Sequence, residues 1–140
     1  GRQVSEKIRE RIPVTLAIVR ALITAVGGTP THYPCKVRCC GGMLMTTEED
    51  IALKLCMNLL QAAADNGADL IAAACPLCEL NLEAYQKKIN ARFDRDFNIP
   101  VVYFTHLVGI ALGVAPEKMG LDKLIIPPHK LTHFAAEVAI

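Results

Sequence analysis

Apolar residues recur along the chain with two different periods, and the switch between them predicts the elements. Val14, Ile18, Val19, Leu22, Ile23 and Val26 follow the 3.6-residue period of a helix that opens at Pro13. Gly27-Gly28 supplies its stop. Thr29–Tyr33 is a short strand candidate. A second helix is expected from Thr46. There Thr46-x-x-Glu49 spells a capping box, and Glu48, Glu49 and Asp50 load the first turn with negative charge. Ile51, Leu55, Leu59 and Ala62 would form its apolar face, with Cys56 elsewhere on the helix as a core or boundary thiol and Gly67 as the stop. Leu70–Ala74 is a continuous apolar run, the pattern of a strand covered on both faces. Glu79–Phe93 reads as helix, Val101–Phe104 after Pro100 as strand, and His106–Gly113 as helix again.

Strands that alternate with helices, joined by connections too long for hairpins, imply parallel pairing. The fold class expected is α/β: a small parallel sheet of three or four strands with helices on both faces and Leu70–Ala74 at its centre. Residues 1–12 form a charged lead-in and residues 13–128 the domain. Beyond Pro127-Pro128, residues 129–140 form a tail that is either a short helix or a disordered end.

The chain has 140 residues, of which 52% are hydrophobic, enough for one domain with a real core. Its net charge is +1 with scattered basic residues, which argues against a nucleic-acid partner, since that needs a clustered positive face. No apolar run is long enough for a transmembrane segment. No signal-peptide pattern precedes the first helix, and no glycine-rich nucleotide loop follows any strand.

Four of the six cysteines fall in two patches, Cys39-Cys40-Gly41-Gly42 and Cys75-Pro76-Leu77-Cys78. Each patch lies between an expected strand and an expected helix. In a parallel sheet both would reach the carboxyl edge, where open α/β folds bind ligands. A disulfide framework fits poorly: Cα atoms across a trans peptide are ~3.8 Å apart, below the usual disulfide range. Thiols used as ligands or redox groups in a reducing cytoplasm fit better. Cys75 and Cys78 would sit at a helix start, where backbone N–H groups favour negative sulfur, and Gly41 and Gly42 let the chain turn sharply.

At these residues the sequence resembles a known family, the cysteine-rich CCG domain of the B-type heterodisulfide reductase subunits and of related iron–sulfur oxidoreductase subunits. The resemblance rests on Tyr33-Pro34, Arg38-Cys39-Cys40-Gly41-Gly42, Gly67-Ala68-Asp69-Leu70, Cys75-Pro76-x-Cys78, Val101-x-Tyr103-Phe104, Leu107 and Gly109-x-Ala111-Leu112-Gly113. It implies a Rossmann-like domain. It also implies a non-cubane [4Fe-4S] cluster held through Cys39, Cys40, Cys75 and Cys78, at which a small disulfide substrate is reduced. Electrons would come from iron–sulfur and flavin subunits of an electron-transfer complex of anaerobic metabolism. The family pattern has a fifth, earlier cysteine after a first strand, and none occurs between Gly1 and Pro34. The chain is therefore expected to be the later part of a second CCG repeat of a longer subunit, with Cys35 either an incidental loop residue, the simpler reading, or a possible extra ligand.

Alternatives stay open at this point. The same four thiolates could hold a structural zinc ion that organises a multisubunit complex, or act without metal as a dithiol module. His106, just past the last strand, is a candidate acid–base or ligand-orienting group; a plain helix-start residue is the simpler reading. Lys36 and Arg38 could attract an anionic substrate or be ordinary solvated charges.

Overall fold

The computed structural model describes residues 18–138, with side chains to residue 133. The lead-in and the start of the first helix lie outside the described residues. Within them, residues 18–25 are helical (α1). Leu44–Thr47 (α2), Glu49–Asp65 (α3), Ile71–Ala73 (β1), Pro76–Ala84 (α4), Gln86–Phe93 (α5), Val101–Tyr103 (β2) and Phe104–Ala111 (α6) follow. Two 3-10 turns, Pro116–Met119 and Leu121–Lys123, lead to His129–Val138 (α7).

β1 and β2 pair in parallel with Ile71 opposite Val101, Ala72 opposite Val102 and Ala73 opposite Tyr103. Side chains alternate across the sheet, and each face has its own core. Ile71, Ala73 and Val101 join Leu53, Leu60, Leu82 and Ile89 from α3, α4 and α5. Leu70, Ala72 and Val102 join Val26, Leu107, Ile110, Leu121 and Leu131 from the segment after α1, from α6, a 3-10 turn and α7. Helices thus cover both faces, as expected. The tail contributes to the second core, because Leu131 is buried and Lys130 pairs with Asp69 at 2.6 Å.

The expected third strand is not there: among the described residues the sheet has two strands, so Leu70–Ala74 is not shown to be central. Residues 29–33 form no ladder. Pro30 interrupts the run and has no N–H to donate, and Tyr33 is anchored through its hydroxyl to the Leu59 carbonyl at 3.1 Å.

The capping box at Thr46 does not form either. The chain winds a turn early, with Leu44 N–H on the Gly41 carbonyl at 2.9 Å. The Thr46 hydroxyl is already bonded to the Met43 carbonyl at 2.8 Å. α3 therefore starts at Glu49 without a side-chain cap. Its buried face is rotated from the expected one: Ala52, Leu53, Cys56, Leu59, Leu60 and Ala63 are buried, whereas Ile51 is 52% exposed. Gly67 does close it, at φ 66°, with Ala68 N–H on the Ala63 carbonyl and Gly67 N–H on the Ala64 carbonyl.

The helix expected over Glu79–Phe93 starts earlier, at Pro76, and breaks at Tyr85. The cause is Gln86. Its Nε2 donates to the Leu82 carbonyl at 2.8 Å, the acceptor that a continuous helix would offer the Gln86 backbone N–H. The same amide donates to the Ile99 carbonyl and accepts from the Ile99 N–H, at 2.7 and 3.0 Å. One turn on, Asn90 clamps Phe97 in the same way at 2.8 and 2.9 Å. Two side-chain amides thus act as a strand partner for the segment that enters β2.

Gln86→Leu strands the Ile99 N–H and C=O in the core, and each such group costs about 1–3 kcal/mol. A loss of about 2–4 kcal/mol in unfolding free energy is expected, read from the denaturant midpoint. An unchanged midpoint would show that the clamp does not hold β2.

Candidate metal centre

The Cys39–Gly42 loop is wedged between two helices. Gly41 lies at φ 97°, and a Cβ on it would come 3.2 Å from Ala52 Cα and 3.3 Å from Ala52 Cβ, so only glycine fits against α3 here. The Cys56 S–H, inside α3, donates to the Cys40 carbonyl at 3.3 Å. From α4, Asn81 Nδ2 donates to the Gly42 carbonyl at 3.0 Å and reaches Cys40 Sγ at 3.7 Å. Cys40 Sγ itself points to the Leu77 carbonyl at 3.8 Å. The two cysteine patches are therefore fastened to each other.

This loop sends its two thiols to opposite environments. Cys40 is 1% exposed, whereas Cys39 is open to solvent. Cys39, Cys75 and Cys78 line one cavity of about 540 Å³, and Cys35 lines it too. Cys40 does not line it; buried, it holds to the second patch through the Leu77 carbonyl. The remaining lining includes Tyr33, the β1 run Leu70–Ala74, and three cations: Arg20, Lys36 and Arg38. Cys56 is buried in the core and does not line the cavity, as expected. Nor does His106. Its Nδ1 accepts the Tyr103 N–H at 3.1 Å, which makes it a helix-start residue of α6.

The cavity thiols differ in charge preference. Cys75 stands at the N-cap of α4 with Pro76 in the first turn. The Cys78 N–H, the Leu77 N–H and the Cys78 S–H all favour its thiolate and hold its pKa below the ordinary thiol value. Burial pushes Cys78 up to about 12, and Cys40 and Cys75 add to that rise. Cys56 is pushed up to about 12 as well, by burial first and then by Cys40 and Cys39. Tyr33 is raised by burial and by the thiols of Cys35 and Cys78.

Soft thiolates on one cavity wall suit iron–sulfur clusters and zinc alike. A single zinc ion with Zn–S bonds of about 2.3 Å needs sulfurs only ~3.8 Å apart. Among the described residues no three His, Cys, Asp or Glu side chains are grouped to hold one ion. An iron–sulfur cluster spreads its ligands over several irons and a wider span, which accords better with sulfurs distributed around a cavity.

The sequence pattern did not point to Arg20 or Asn81. Arg20 belongs to a helix far from either patch in the chain, and Asn81 carries no motif. Spacing alone could have suggested Asn81, since Cys78 and Asn81 lie three apart on a helix and share a face.

The raised thiols also set a pH dependence. A thiol whose folded pKa exceeds its unfolded one stabilises the fold fully below the unfolded value and loses that contribution as pH rises through the folded value. For Cys56 and Cys78 that window runs from the ordinary thiol value of 9.0 to about 12. The metal-free, reduced protein is expected to lose stability steadily across it, and Cys56→Ala is expected to flatten the loss. Thermal unfolding at stepped pH measures this; an identical slope in the variant would contradict it.

A family model described as CCG, cysteine-rich domain, matches residues 7–83, more than half of the chain. Over 104 residues the chain is 33% identical to the B-type subunit of ferredoxin:CoB-CoM heterodisulfide reductase from Methanosarcina mazei, covering 73% of this chain and 35% of that protein. Over 110 residues it is 28% identical to the 8-methylmenaquinol:fumarate reductase membrane anchor subunit of Wolinella succinogenes, covering 79% and 39%. A protein of Archaeoglobus profundus described as like the B-type heterodisulfide reductase subunit is 27% identical over 113 residues, covering 79% and 38%. The chain spans little more than a third of the length of these curated relatives. No helix among the described residues is long and apolar enough to cross a membrane. With both cysteine patches inside the matched span, this chain belongs to the CCG cysteine-rich domain family.

Proposed function

We propose that this chain is the cluster-holding part of a heterodisulfide reductase B-type iron–sulfur oxidoreductase subunit. Cys39, Cys40, Cys75 and Cys78 are its ligands, with Cys35 on the same cavity wall as a possible extra ligand. The observation that carries this reading is the shared cavity: two patches 36 residues apart in sequence put Cys39, Cys75 and Cys78 on one wall, with Cys35 beside them and Cys40 bonded to the Leu77 carbonyl of the second patch. The relatives' names supply the reaction class, reduction of a disulfide. When bound, a non-cubane [4Fe-4S] cluster would supply the electrons and an iron site for substrate sulfur.

The chain's own residues do the rest. The helix start of α4 stabilises negative sulfur at Cys75, and burial behind the loop keeps solvent from Cys40. Arg20, Lys36 and Arg38 at the cavity wall favour a disulfide that carries anionic groups, and the apolar β1 run favours one with an aliphatic stem. Electrons would enter from partner subunits of a larger complex.

Anaerobic reconstitution with iron and sulfide tests this. The chain is expected to take up iron and acid-labile sulfide in equal amounts. Cys78→Ser is expected to lose most of that iron. Cys56→Ser keeps a donor for the Cys40 carbonyl and is expected to retain it. In air, iron is expected to give way to oxidised thiols or zinc. Uptake of zinc but no iron without oxygen would contradict the reading.

A further inference from the structure

We propose that Cys75 and Cys78 of the metal-free chain form a dithiol–disulfide pair. In it Cys75 is the sulfur that exchanges with an external disulfide and Cys78 is the sulfur that resolves the product. The pairing follows from placement and is independent of the cluster reading, since a bound cluster would occupy both sulfurs.

Three observations carry it. The first is accessibility. Cys75 is exposed, while Cys78, one turn along α4, is half-buried, so an external disulfide meets Cys75 first. The second is placement. Cys75 is the N-cap of α4, Cys78 lies in its first turn, and both line the same cavity. The turn that carries them is closed by the Cys78 and Glu79 N–H groups on the Cys75 carbonyl, both at 3.1 Å. Residues three apart on a helix have Cβ atoms about 5–6 Å apart, against about 3.5–4.5 Å in a disulfide, and the small backbone shift that closes the gap falls on Cys75, which stands at the N-cap with extended backbone outside the helix. The third is the room beside them, a cavity of about 540 Å³ with an apolar wall, which gives a small disulfide a place to lie.

The chemistry balances within the pair. Cys75 Sγ attacks one sulfur of R–S–S–R; the Cys75–S bond forms, the S–S bond breaks, and one thiolate leaves with the bonding pair. Cys78 Sγ then attacks Cys75 Sγ and expels the second thiolate. The protons of the two cysteines end on the two released thiols. The external disulfide gains two electrons and the protein loses two, and an external dithiol returns them by the reverse steps.

The other thiols do not offer this arrangement. Cys40 is tied to the same patch through the Leu77 carbonyl, but it is buried and cannot be reached first. Cys39 is exposed, yet its sulfur accepts the N–H of Gly41 in its own loop at 3.4 Å.

The test uses the full 140-residue chain, reduced and freed of metal under anaerobic conditions, then exposed to bis(2-hydroxyethyl) disulfide, quenched with acid and mapped by mass spectrometry. The wild-type chain is expected to lose two thiols to a Cys75–Cys78 disulfide, with no lasting adduct on Cys75. In Cys78→Ser the mercaptoethanol adduct on Cys75 is expected to persist. In Cys75→Ser, Cys78 is expected to stay unmodified on the same timescale. A wild-type map with Cys40 joined to Cys78, with Cys39 joined to Cys75, or with a stable adduct on Cys75 would overturn the proposal. The wild-type map decides the matter without any variant, and iron uptake plays no part in it.

Discussion

The structure turns on the contact between Gly41 and Ala52. A backbone at φ 97°, which strains any side chain, presses tightly against α3, and this fixes where the chain goes on either side. Before the contact, Cys39 is left in the open cavity; after it, Gly42 turns the chain into α2. Cys56 and Asn81 then hold the loop by its carbonyls from α3 and α4 respectively. A loop pinned largely by its backbone groups leaves the Cys39 thiol on the open cavity while Cys40 is held inside. The role of Cys56 is thus that of a hydrogen-bond donor from inside the core.

Side chains also stand in for backbone partners at the sheet. A parallel pair three residues long is a weak scaffold by itself. Here the entry to β2 is extended by the amides of Gln86 and Asn90, and the two faces are filled by separate cores. This fixes the entry end of the sheet, opposite the end from which Cys75 emerges. The residues of β1 also line the thiol cavity. The strand thus contributes to both the frame and the site, and the polarity of the cavity follows from its apolar run.

Much of this was legible in the sequence, for reasons that can be named. The Leu70–Ala74 and Val101–Phe104 runs hold the strands Ile71–Ala73 and Val101–Tyr103, shorter than expected, because nothing polar interrupts them. Gly27 and Gly67 end helices because only a residue free to take positive φ closes them cheaply. Only the second patch leaves a strand end; the first reaches it through the glycine turn on Ala52 and the bonds from Cys56 and Asn81. What failed did so where tertiary contacts outweighed local pattern. Thr46 has a capping sequence, yet its hydroxyl serves Met43 once the glycine turn has started a helix early. The apolar face of α3 is set by the loop packed on Ala52 and Cys56 as well as by Leu59, so its centre shifted. The break at Tyr85 depends on the reach of Gln86 to Ile99, which no periodicity displays. Cys35 gains its cavity position from the turn at residues 34–37, whose direction is settled by Tyr33 on α3.

If two distant cysteine patches make one site, loading that site must change both together. Differential alkylation tests this most directly: the anaerobically reconstituted chain and its metal-free form are labelled under identical conditions, and the label at each cysteine is compared by peptide mapping. Loading is expected to protect Cys39, Cys75 and Cys78 together and to the same degree, while the buried Cys56 is unlabelled in both forms. Protection confined to one patch, with the other labelled as in the metal-free chain, would contradict a single shared site.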